Sequence, residues 1–313
     1  MGTTPVAAID CGTNTIKLLV GDLAGAPDEV LRTSRMVRLG QGVDATGRLA
    51  PEALARTFAA VEEFAGLIAA AGVPVERVRF CATSASRDAE NAAEFVDGVR
   101  ARLGVAPEVL SGREEAALAF DGAVRGLAGV ADLDGRVLVV DVGGGSTELI
   151  LGEASTGPIA AHSMDIGSVR LHERHVRTDP PSAAEIAAIT ADIDAALDAA
   201  TREVDASSAD RLVAVAGTHT TLAAGILGLE AFDRERIHGA RLAAADVETL
   251  VQGLLAMTVA ERRALPWMHP GRADVIDAGA LIAGRVIARS RCSAITVSGS
   301  DILDGIAWSL LAR

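Results

Sequence analysis

Two segments of the chain share one pattern of hydrophobic and polar positions. The first is VAAIDCGTNTIKLLVGD near the N-terminus, and the second is VLVVDVGGGSTELILGE in the middle. In each, an apolar run ends in an aspartate, a short polar turn follows, and a second apolar run begins, which predicts two strands joined as a hairpin. Asp10 and Asp141 occupy equivalent places, 131 positions apart (141 − 10). Two copies of one strand–turn–strand unit predict duplicated domains that face each other across a cleft.

Helix and strand patterns alternate in the rest of the chain. Pro51 suits the first turn of a helix in PEALARTFAAVEEFAGLIAAAG, and Gly72 suits its end. The remaining strands are predicted in VRFCATSAS, around Val109, and in IAAHSMDIG, RLVAVAG and SAITVS. The remaining helices are predicted in NAAEFVDGVRARLG, from near Arg113, after Pro181, Thr218, Ala243 and Gly271, and at the end of the chain. Such a mixture indicates α/β layers.

The domain boundary is predicted where periodicity is lost, in GLAGVADLDG between Gly126 and Asp134. We therefore expect an N-terminal domain over 1–128 and a C-terminal domain over 129–313. The closing helix, 301–313, is a candidate to pack back on the first domain.

Composition narrows the classes of function. The 313 residues carry a net charge of −13, which argues against a broad nucleic-acid surface and leaves a polyanionic substrate possible only where positive charge is local. Lys17, the single lysine, lies beside the first polar turn, although a coding bias toward arginine explains that equally simply. We find no apolar run of membrane-spanning length, no signal-peptide pattern and no paired cysteine motif, so we expect a soluble cytoplasmic protein without a membrane partner.

The second hairpin turn contains the residue types of a phosphate site. Successive backbone N–H groups can bind an anion in conformations open to glycine, and hydroxyls add donors; the residues concerned are Gly143, Gly144, Gly145, Ser146 and Thr147. Asp141 and Glu148 flank the turn, where they could coordinate a hard divalent cation. The alternative is a merely tight glycine turn. The first turn, Gly12, Thr13, Asn14 and Thr15, is ordinary turn chemistry except for its match to the second.

The segment SGREEAALAF offers two adjacent acids with different expected roles. Ser111 and Glu114 fit the capping box, in which each satisfies a backbone amide at a helix start. Glu115 then projects elsewhere and can act as a general base toward water. The alternative for Glu115 is an acid stabilised by the positive end of the helix.

Two arginines and one further turn are candidates to bind anions. Arg87 follows a predicted strand, and its planar guanidinium suits phosphate, although a surface role is equally open. Arg272 is expected at a helix N-terminus, where a cation is disfavoured unless an anion is near. Gly217 and Thr218 lie in VAGTHTTLA, a third strand-to-helix turn rich in glycine and threonine. The histidines match no zinc motif, because HERH is not H-E-x-x-H.

Taken together, these segments resemble the exopolyphosphatase/guanosine pentaphosphate phosphatase (Ppx/GppA) family, within the superfamily of actin, sugar kinases and heat-shock ATPases. The resemblance rests on eight segments in order: AAIDCGTNTIKLLV, RLGQGVD, ATSASRDAEN, SGREEAALAF, VVDVGGGSTELILG, VAGTHTTLA, MHPGRADVI and SGSDILDGIA. The chain length matches the short, two-domain members.

The resemblance implies two ribonuclease-H-like domains with an active site between them, and hydrolysis of the terminal phosphoanhydride of polyphosphate or guanosine pentaphosphate. It implies Glu115 as the catalytic base, and Mg²⁺ associated with Asp141 and Glu148, to which we add Asp10. It also implies phosphate contacts from both hairpin turns, Arg87 and Arg272, to which we add Lys17, Gly217 and Thr218. The family commonly has an arginine where this chain has Lys17. Lysine keeps the positive charge but lacks the two parallel N–H donors with which a guanidinium binds phosphate.

The sequence leaves two other classes of function open. A small-molecule kinase of the same superfamily would need an acceptor pocket, and a non-catalytic sensor of nucleotide alarmones would not need a base. The net negative charge favours short polyphosphate or a nucleotide as the substrate, because a long, processively degraded polyphosphate would need an extended basic surface. A homodimer is an expectation from the family alone.

Overall fold

The fold is described here from a computed structural model, which covers residues 5–23 and 31–311. Within these ranges the chain divides into two compact units. Unit 1 takes in the described residues of Met1–Gly122 and Ile302–Arg313, and unit 2 is Ala123–Asp301.

Unit 1 contains a mixed five-stranded sheet among its described residues. Its strands are β1 (Val6–Cys11), β2 (Thr15–Gly21), β3 (Leu31–Met36), β4 (Val78–Ala82) and β5 (Glu108–Val109). The order across the sheet is β3-β2-β1-β4-β5, with the first three strands antiparallel and the last three parallel. β1 is buried along its whole length, which explains its continuous apolar run.

Helices cover this sheet, and one of them shows the predicted start and stop signals. The helices are α1 (Val43–Thr46), α2 (Pro51–Ala70), α3 (Ser84–Asp88), α4 (Ala92–Leu103) and α5 (Gly112–Gly126). Pro51 lies in the first turn of α2, and Gly72 adopts a positive φ of 67° just beyond its end. The apolar face of α2 packs with that of α4 in the core of the unit, around Phe64, Phe80 and Phe95.

Unit 2 repeats the arrangement with one strand more. Its strands are β6 (Arg136–Val142), β7 (Thr147–Glu153), β8 (Gly157–Met164), β9 (Arg211–Val215), β10 (Arg241–Ala243) and β11 (Ala294–Val297). Their order is β10-β11-β9-β6-β7-β8, in which β6, β7 and β8 are antiparallel neighbours and β6, β9 and β11 are parallel. β6, β7, β8, β9 and β11 therefore match β1 to β5 in position and direction.

The helices of unit 2 are α6 (Ser168–His175), α7 (Ala183–Ala200), α8 (Ala216–Ile226), α9 (Arg234–Ile237), α10 (Ala244–Ala256), α11 (Val259–Ala264) and α12 (Ile276–Ser290). Capping boxes start α7 at Ser182 and α11 at Thr258. The core of the unit packs around α12, which is buried along most of its length.

The last described helix, α13 (Ile302–Ser309), belongs to unit 1. It packs against β1, β2 and β4. Arg32 of β3 forms an ion pair with the buried Asp304 of α13, and Arg79 of β4 donates a hydrogen bond of 2.7 Å to Ser309.

The shared strand order confirms the predicted fold class of two ribonuclease-H-like α/β domains. The division between the units, however, falls between Gly122 and Ala123, inside α5, and so precedes the predicted boundary at 128/129. A helix that runs on from one unit into the next shows no break in its own periodicity, whereas the prediction depends on the loss of periodicity after the helix ends. Among the described residues, no helix is long and apolar enough to span a membrane.

Candidate functional site

In unit 1, the first hairpin brings Asp10 and Lys17 together. The two residues are directly opposite each other on β1 and β2, and the turn between them is closed by a 3.0 Å hydrogen bond from Gly12 N to Thr15 O. Lys17 Nζ lies 3.2 Å from Asp10 Oδ2. Because only 4% of Asp10 is exposed, this ion pair lies largely out of water.

The first turn is fixed by the segment that follows β3. The amides of Val37 and Arg38 donate to the carbonyl of Asn14, and the amide of Gly40 donates to the carbonyl of Thr13. The Thr13 hydroxyl lies 2.9 Å from the hydroxyl of Ser84 at the start of α3. These contacts hold the predicted phosphate loop, residues 12–15, against the rest of unit 1.

Unit 1 also brings Arg87 and Glu115 together. Arg87 Nη1 donates a 3.2 Å hydrogen bond to Glu115 Oε2 and a 2.9 Å bond to the carbonyl of Leu110. Glu115 is 7% exposed, and a buried carboxylate needs a partner of opposite charge. The guanidinium of Arg87 is such a partner. Arg87, predicted as a phosphate contact, therefore also orients the predicted base.

The adjacent acid has the capping role that the sequence predicts. Glu114 Oε2 accepts hydrogen bonds from the backbone N and the hydroxyl of Ser111, at 2.9 and 2.7 Å. These bonds lower the pKa of Glu114. Its carboxylate serves the helix start, whereas that of Glu115 lies beside Arg87.

In unit 2, the second hairpin repeats the geometry of the first. Asp141 and Glu148 are directly opposite on β6 and β7, and a 3.0 Å bond from Gly143 N to Ser146 O closes the turn. Residues opposite each other in an antiparallel pair have side chains on the same face of the sheet. Ser163 on β8 is in turn opposite Glu148, and its hydroxyl donates a 2.7 Å bond to Glu148 Oε1.

The carbonyls of the glycine turn are bound by the start of α6. Ser168 N donates to Gly143 O, and Val169 N and Arg170 N both donate to Gly144 O, at 2.9 to 3.0 Å. Arg170 Nε donates to Gly145 O at 2.7 Å. These bonds hold three successive carbonyls toward α6.

The orientation of these carbonyls fixes that of the amides in the same peptide groups. In a planar trans peptide, the C=O of one residue and the N–H of the next point in opposite directions. The N–H groups of Gly144, Gly145 and Ser146 therefore point away from α6. Three successive N–H groups on one side of a turn form a concave site for an anion.

A close approach of backbone to backbone makes this packing possible. A Cβ atom added to Gly167 would lie 2.5 Å from the carbonyl carbon and oxygen of Gly144 and 2.6 Å from the nitrogen of Gly145. Gly167 thus allows the start of α6 to contact the turn directly.

Unit 2 also brings Gly217, Thr218 and Arg272 together. The Thr218 hydroxyl donates to the carbonyl of Val142, at the end of β6, at 3.1 Å. Arg272 Nη1 donates to the carbonyl of Gly217 and to the hydroxyl of Thr221, both at 2.9 Å.

Arg272 lies close to the N-terminus of α12, and its carbonyl accepts a 2.9 Å hydrogen bond from Ile276 N. It lies in the turn that precedes α12, which begins at Ile276. Burial lowers the pKa of Arg272, and the charge of Asp301 opposes that shift. The sequence led us to expect an anion near Arg272, and the carboxylate of Asp301 supplies part of that negative charge.

The donor set around Glu148 fits Mg²⁺. Among the described residues, no three His, Cys, Asp or Glu side chains are grouped as a metal site. Mg²⁺, however, is commonly held by one or two carboxylates, with water and substrate phosphates completing its shell. The carboxylates of Asp141 and Glu148, opposite each other beside the glycine turn, provide such a pair.

Several residues of these sites have no signal in the sequence. Each contacts a turn or an acid that lies 15 or more positions away in the sequence; the residues are Ser84, Ser163, Gly167 and Arg170. Such pairings depend on sheet register and helix packing, which local patterns do not specify.

Comparison with known proteins identifies the family. Residues 20–313 match the model of the Ppx/GppA phosphatase family. The chain is 46% identical to exopolyphosphatase 2 of Mycobacterium tuberculosis over 324 aligned positions, which cover 99% of both proteins. The chain belongs to the Ppx/GppA phosphatase family, and the resemblance inferred from its motifs is confirmed.

Two further relatives bear on fold and substrate. The crystal structure of an exopolyphosphatase-like protein superimposes with a TM-score of 0.89 at 42% identity, over 98% of this chain and 97% of that one. The guanosine-5'-triphosphate,3'-diphosphate pyrophosphatase of Vibrio cholerae is 37% identical over 172 residues, which are 55% of this chain and 33% of that protein.

Proposed function

We propose that the protein hydrolyses the terminal phosphoanhydride of inorganic polyphosphate and releases inorganic phosphate. The observation that carries this proposal is the glycine turn whose N–H groups, at Gly144, Gly145 and Ser146, are held outward by α6. Such a site suits a terminal phosphoryl group. Membership of a phosphatase family that includes exopolyphosphatases supports the same reaction.

Glu115 is proposed as the general base. Its carboxylate would accept a proton from water as the water oxygen forms a bond to the terminal phosphorus. The anhydride P–O bond breaks on the opposite side, the shortened chain leaves with the bridging oxygen, and the proton passes from Glu115 to solvent. Arg87, 3.2 Å from Glu115, would orient the carboxylate for this role.

Asp141 and Glu148 are proposed to hold Mg²⁺. When bound there, Mg²⁺ would neutralise charge on the phosphoryl oxygens. Ser163 fixes the orientation of Glu148 by its 2.7 Å hydrogen bond, and the outward N–H groups of the turn would bind oxygens of the same phosphoryl group. Arg272 donates hydrogen bonds to Gly217 and Thr221 and so holds the start of α8 in place.

A second candidate substrate is guanosine pentaphosphate. The similarity to the guanosine-5'-triphosphate,3'-diphosphate pyrophosphatase of Vibrio cholerae favours it. Both substrates end in a phosphate on a short polyanion, so one set of residues could act on either.

Phosphate release with Mg²⁺ from short polyphosphate, long polyphosphate and guanosine pentaphosphate tests this proposal. We expect release from short polyphosphate at the highest kcat/KM of the three. A preference for guanosine pentaphosphate would favour the second candidate. Binding of these substrates without phosphate release would overturn hydrolysis in favour of a sensor, and consumption of ATP dependent on a sugar or acetate would favour a kinase.

A further inference from the structure

The two hairpins correspond residue for residue. In both, the acid that ends the first strand is directly opposite the residue seven positions later on the second strand: Asp10 opposite Lys17, and Asp141 opposite Glu148. The residue opposite on the third strand is a serine in both units: Ser34 is opposite Lys17, and Ser163 is opposite Glu148. Each unit therefore has a row of three side chains across its first three strands. The duplication thus extends from the strand order to individual side chains.

The middle residue of this row, on the second strand, has opposite charges in the two units. Where unit 2 has the carboxylate of Glu148, unit 1 has the ammonium of Lys17. Two carboxylates directly opposite each other repel, and a divalent cation shared between them relieves that repulsion. In unit 1 the same place is taken by a covalently attached cation, with Lys17 Nζ 3.2 Å from Asp10 Oδ2.

We propose that Lys17 is the internal counter-ion of Asp10 and excludes the divalent cation from the first hairpin, so that metal binds only at Asp141 and Glu148. This inference rests on the proposed function in its use of Mg²⁺. It removes Asp10 from the predicted metal ligands and gives Lys17 a positioning role instead of a phosphate contact alone.

The physical reason is that the buried Asp10 carboxylate already has a cation beside it. A buried carboxylate must be paired, and the compact ammonium of lysine supplies a point charge at short range. A metal ion at the same carboxylate would have to displace that ammonium or lie beside it against like charge. Glu148 instead adds negative charge to its hairpin, which favours a divalent cation.

The experiment measures Mn²⁺ binding to the substrate-free protein, by calorimetry and by the electron paramagnetic resonance of free Mn²⁺. We expect the wild type to bind one Mn²⁺ per chain, and Glu148→Gln to weaken binding at least about tenfold. Asp10→Asn should bind one Mn²⁺ with an affinity within about twofold of the wild type, because the ion does not contact Asp10.

Substitution at Lys17 tests the converse. Lys17→Glu recreates in unit 1 the acid pair of unit 2, and we expect it to bind a second Mn²⁺ that is lost again in the Lys17→Glu, Asp10→Asn double variant. Lys17→Arg is the matched control, because it keeps the charge, and should still bind one. Circular dichroism establishes that each variant is folded.

The outcomes separate this inference from the proposed function. If Asp10→Asn weakens Mn²⁺ binding as much as Glu148→Gln does, Asp10 is a ligand and the inference is wrong, whether or not Lys17→Glu folds. A folded Lys17→Glu protein that binds one Mn²⁺ also contradicts it. A wild type that binds no Mn²⁺ and releases phosphate without any divalent cation overturns the metal in the proposed function, and this inference with it.

Discussion

The hydroxyl of Ser163 donates a 2.7 Å hydrogen bond to Oε1 of Glu148, from the residue directly opposite it on the neighbouring strand. Glu148 is only 1% exposed, so its orientation is set by protein contacts such as this one. A residue that orients a metal-binding carboxylate tunes the affinity of the site without touching substrate.

Removal of this hydroxyl should weaken metal activation selectively. In Ser163→Ala we expect the Mg²⁺ concentration for half-maximal activity to rise about tenfold. At saturating Mg²⁺ kcat should stay close to the wild-type value, because the carboxylate itself remains. Activity titrated with Mg²⁺ at fixed polyphosphate measures both quantities.

Ser163→Thr keeps a hydroxyl and serves as the control, with an expected Mg²⁺ dependence near that of the wild type. Equal Mg²⁺ dependence of Ser163→Ala and the wild type would show that Ser163 does not position Glu148 for a metal.

The contact between Gly167 and the glycine turn gives a second prediction. The Cβ of alanine in Gly167→Ala would lie 2.5 Å from backbone atoms of Gly144, so the turn has to move. Because displacement of a binding group by about 1 Å can cost about 10²-fold in rate, we expect kcat/KM to fall by about that factor. Steady-state phosphate release measures it.

Gly253→Ala is the matched control. Gly253 lies inside α10, where an added Cβ meets no atom within 4 Å. There alanine should leave kcat/KM unchanged and stabilise the helix by about 0.5 to 1 kcal/mol. If Gly167→Ala is as active as Gly253→Ala, the turn does not bind the reacting phosphate.

His219 predicts a specific loss of stability at acid pH. Its Nδ1 donates to the carbonyl of Val215 at 2.8 Å, and burial lowers its pKa to about 4. Because the unfolded chain binds a proton near pH 6.5 and the folded protein does not, the stability from neutral His219 is full above pH 6.5 and is lost as the pH falls toward 4.

At pH 5 the loss should reach about 2 kcal/mol of the free energy of unfolding relative to neutral pH. His219→Gln keeps a donor for Val215 but does not titrate, so its urea denaturation at pH 7 and pH 5 should lack this component. An equal decline in the two proteins would assign the pH dependence to other groups.

Much of this molecule follows from local patterns. The hairpins follow from two apolar runs around a polar turn, and the capping role of Glu114 follows from its spacing to Ser111, because both involve neighbours along the chain. The expected position of Asp141 and Glu148 on the two sides of their turn also agrees with the sheet register.

The tertiary contacts could not be predicted in the same way. Arg87 meets Glu115 because the last turn of α3 lies beside the first turn of α5, and α6 binds the glycine turn because Gly167 permits close approach. The continuous helix α5 hides the division between the units. Each of these depends on how elements pack, for which no periodicity gives a signal.

The role of Glu115 as the base is tested most directly by a comparison of Glu115→Gln with Glu114→Gln. Both substitutions remove one carboxylate from the same helical turn, but only Glu115 is the proposed base. We expect Glu115→Gln to lower kcat by about 10² to 10⁴ while polyphosphate binding, measured by calorimetry, changes by no more than about threefold. Glu114→Gln should lose some stability at the helix start and keep its kcat.

Wild-type turnover in a folded Glu115→Gln protein would show that Glu115 is not the base, because glutamine cannot accept the proton from water. An equal loss of kcat in both variants would contradict it as well, because the effect would then belong to the helix start and not to the base.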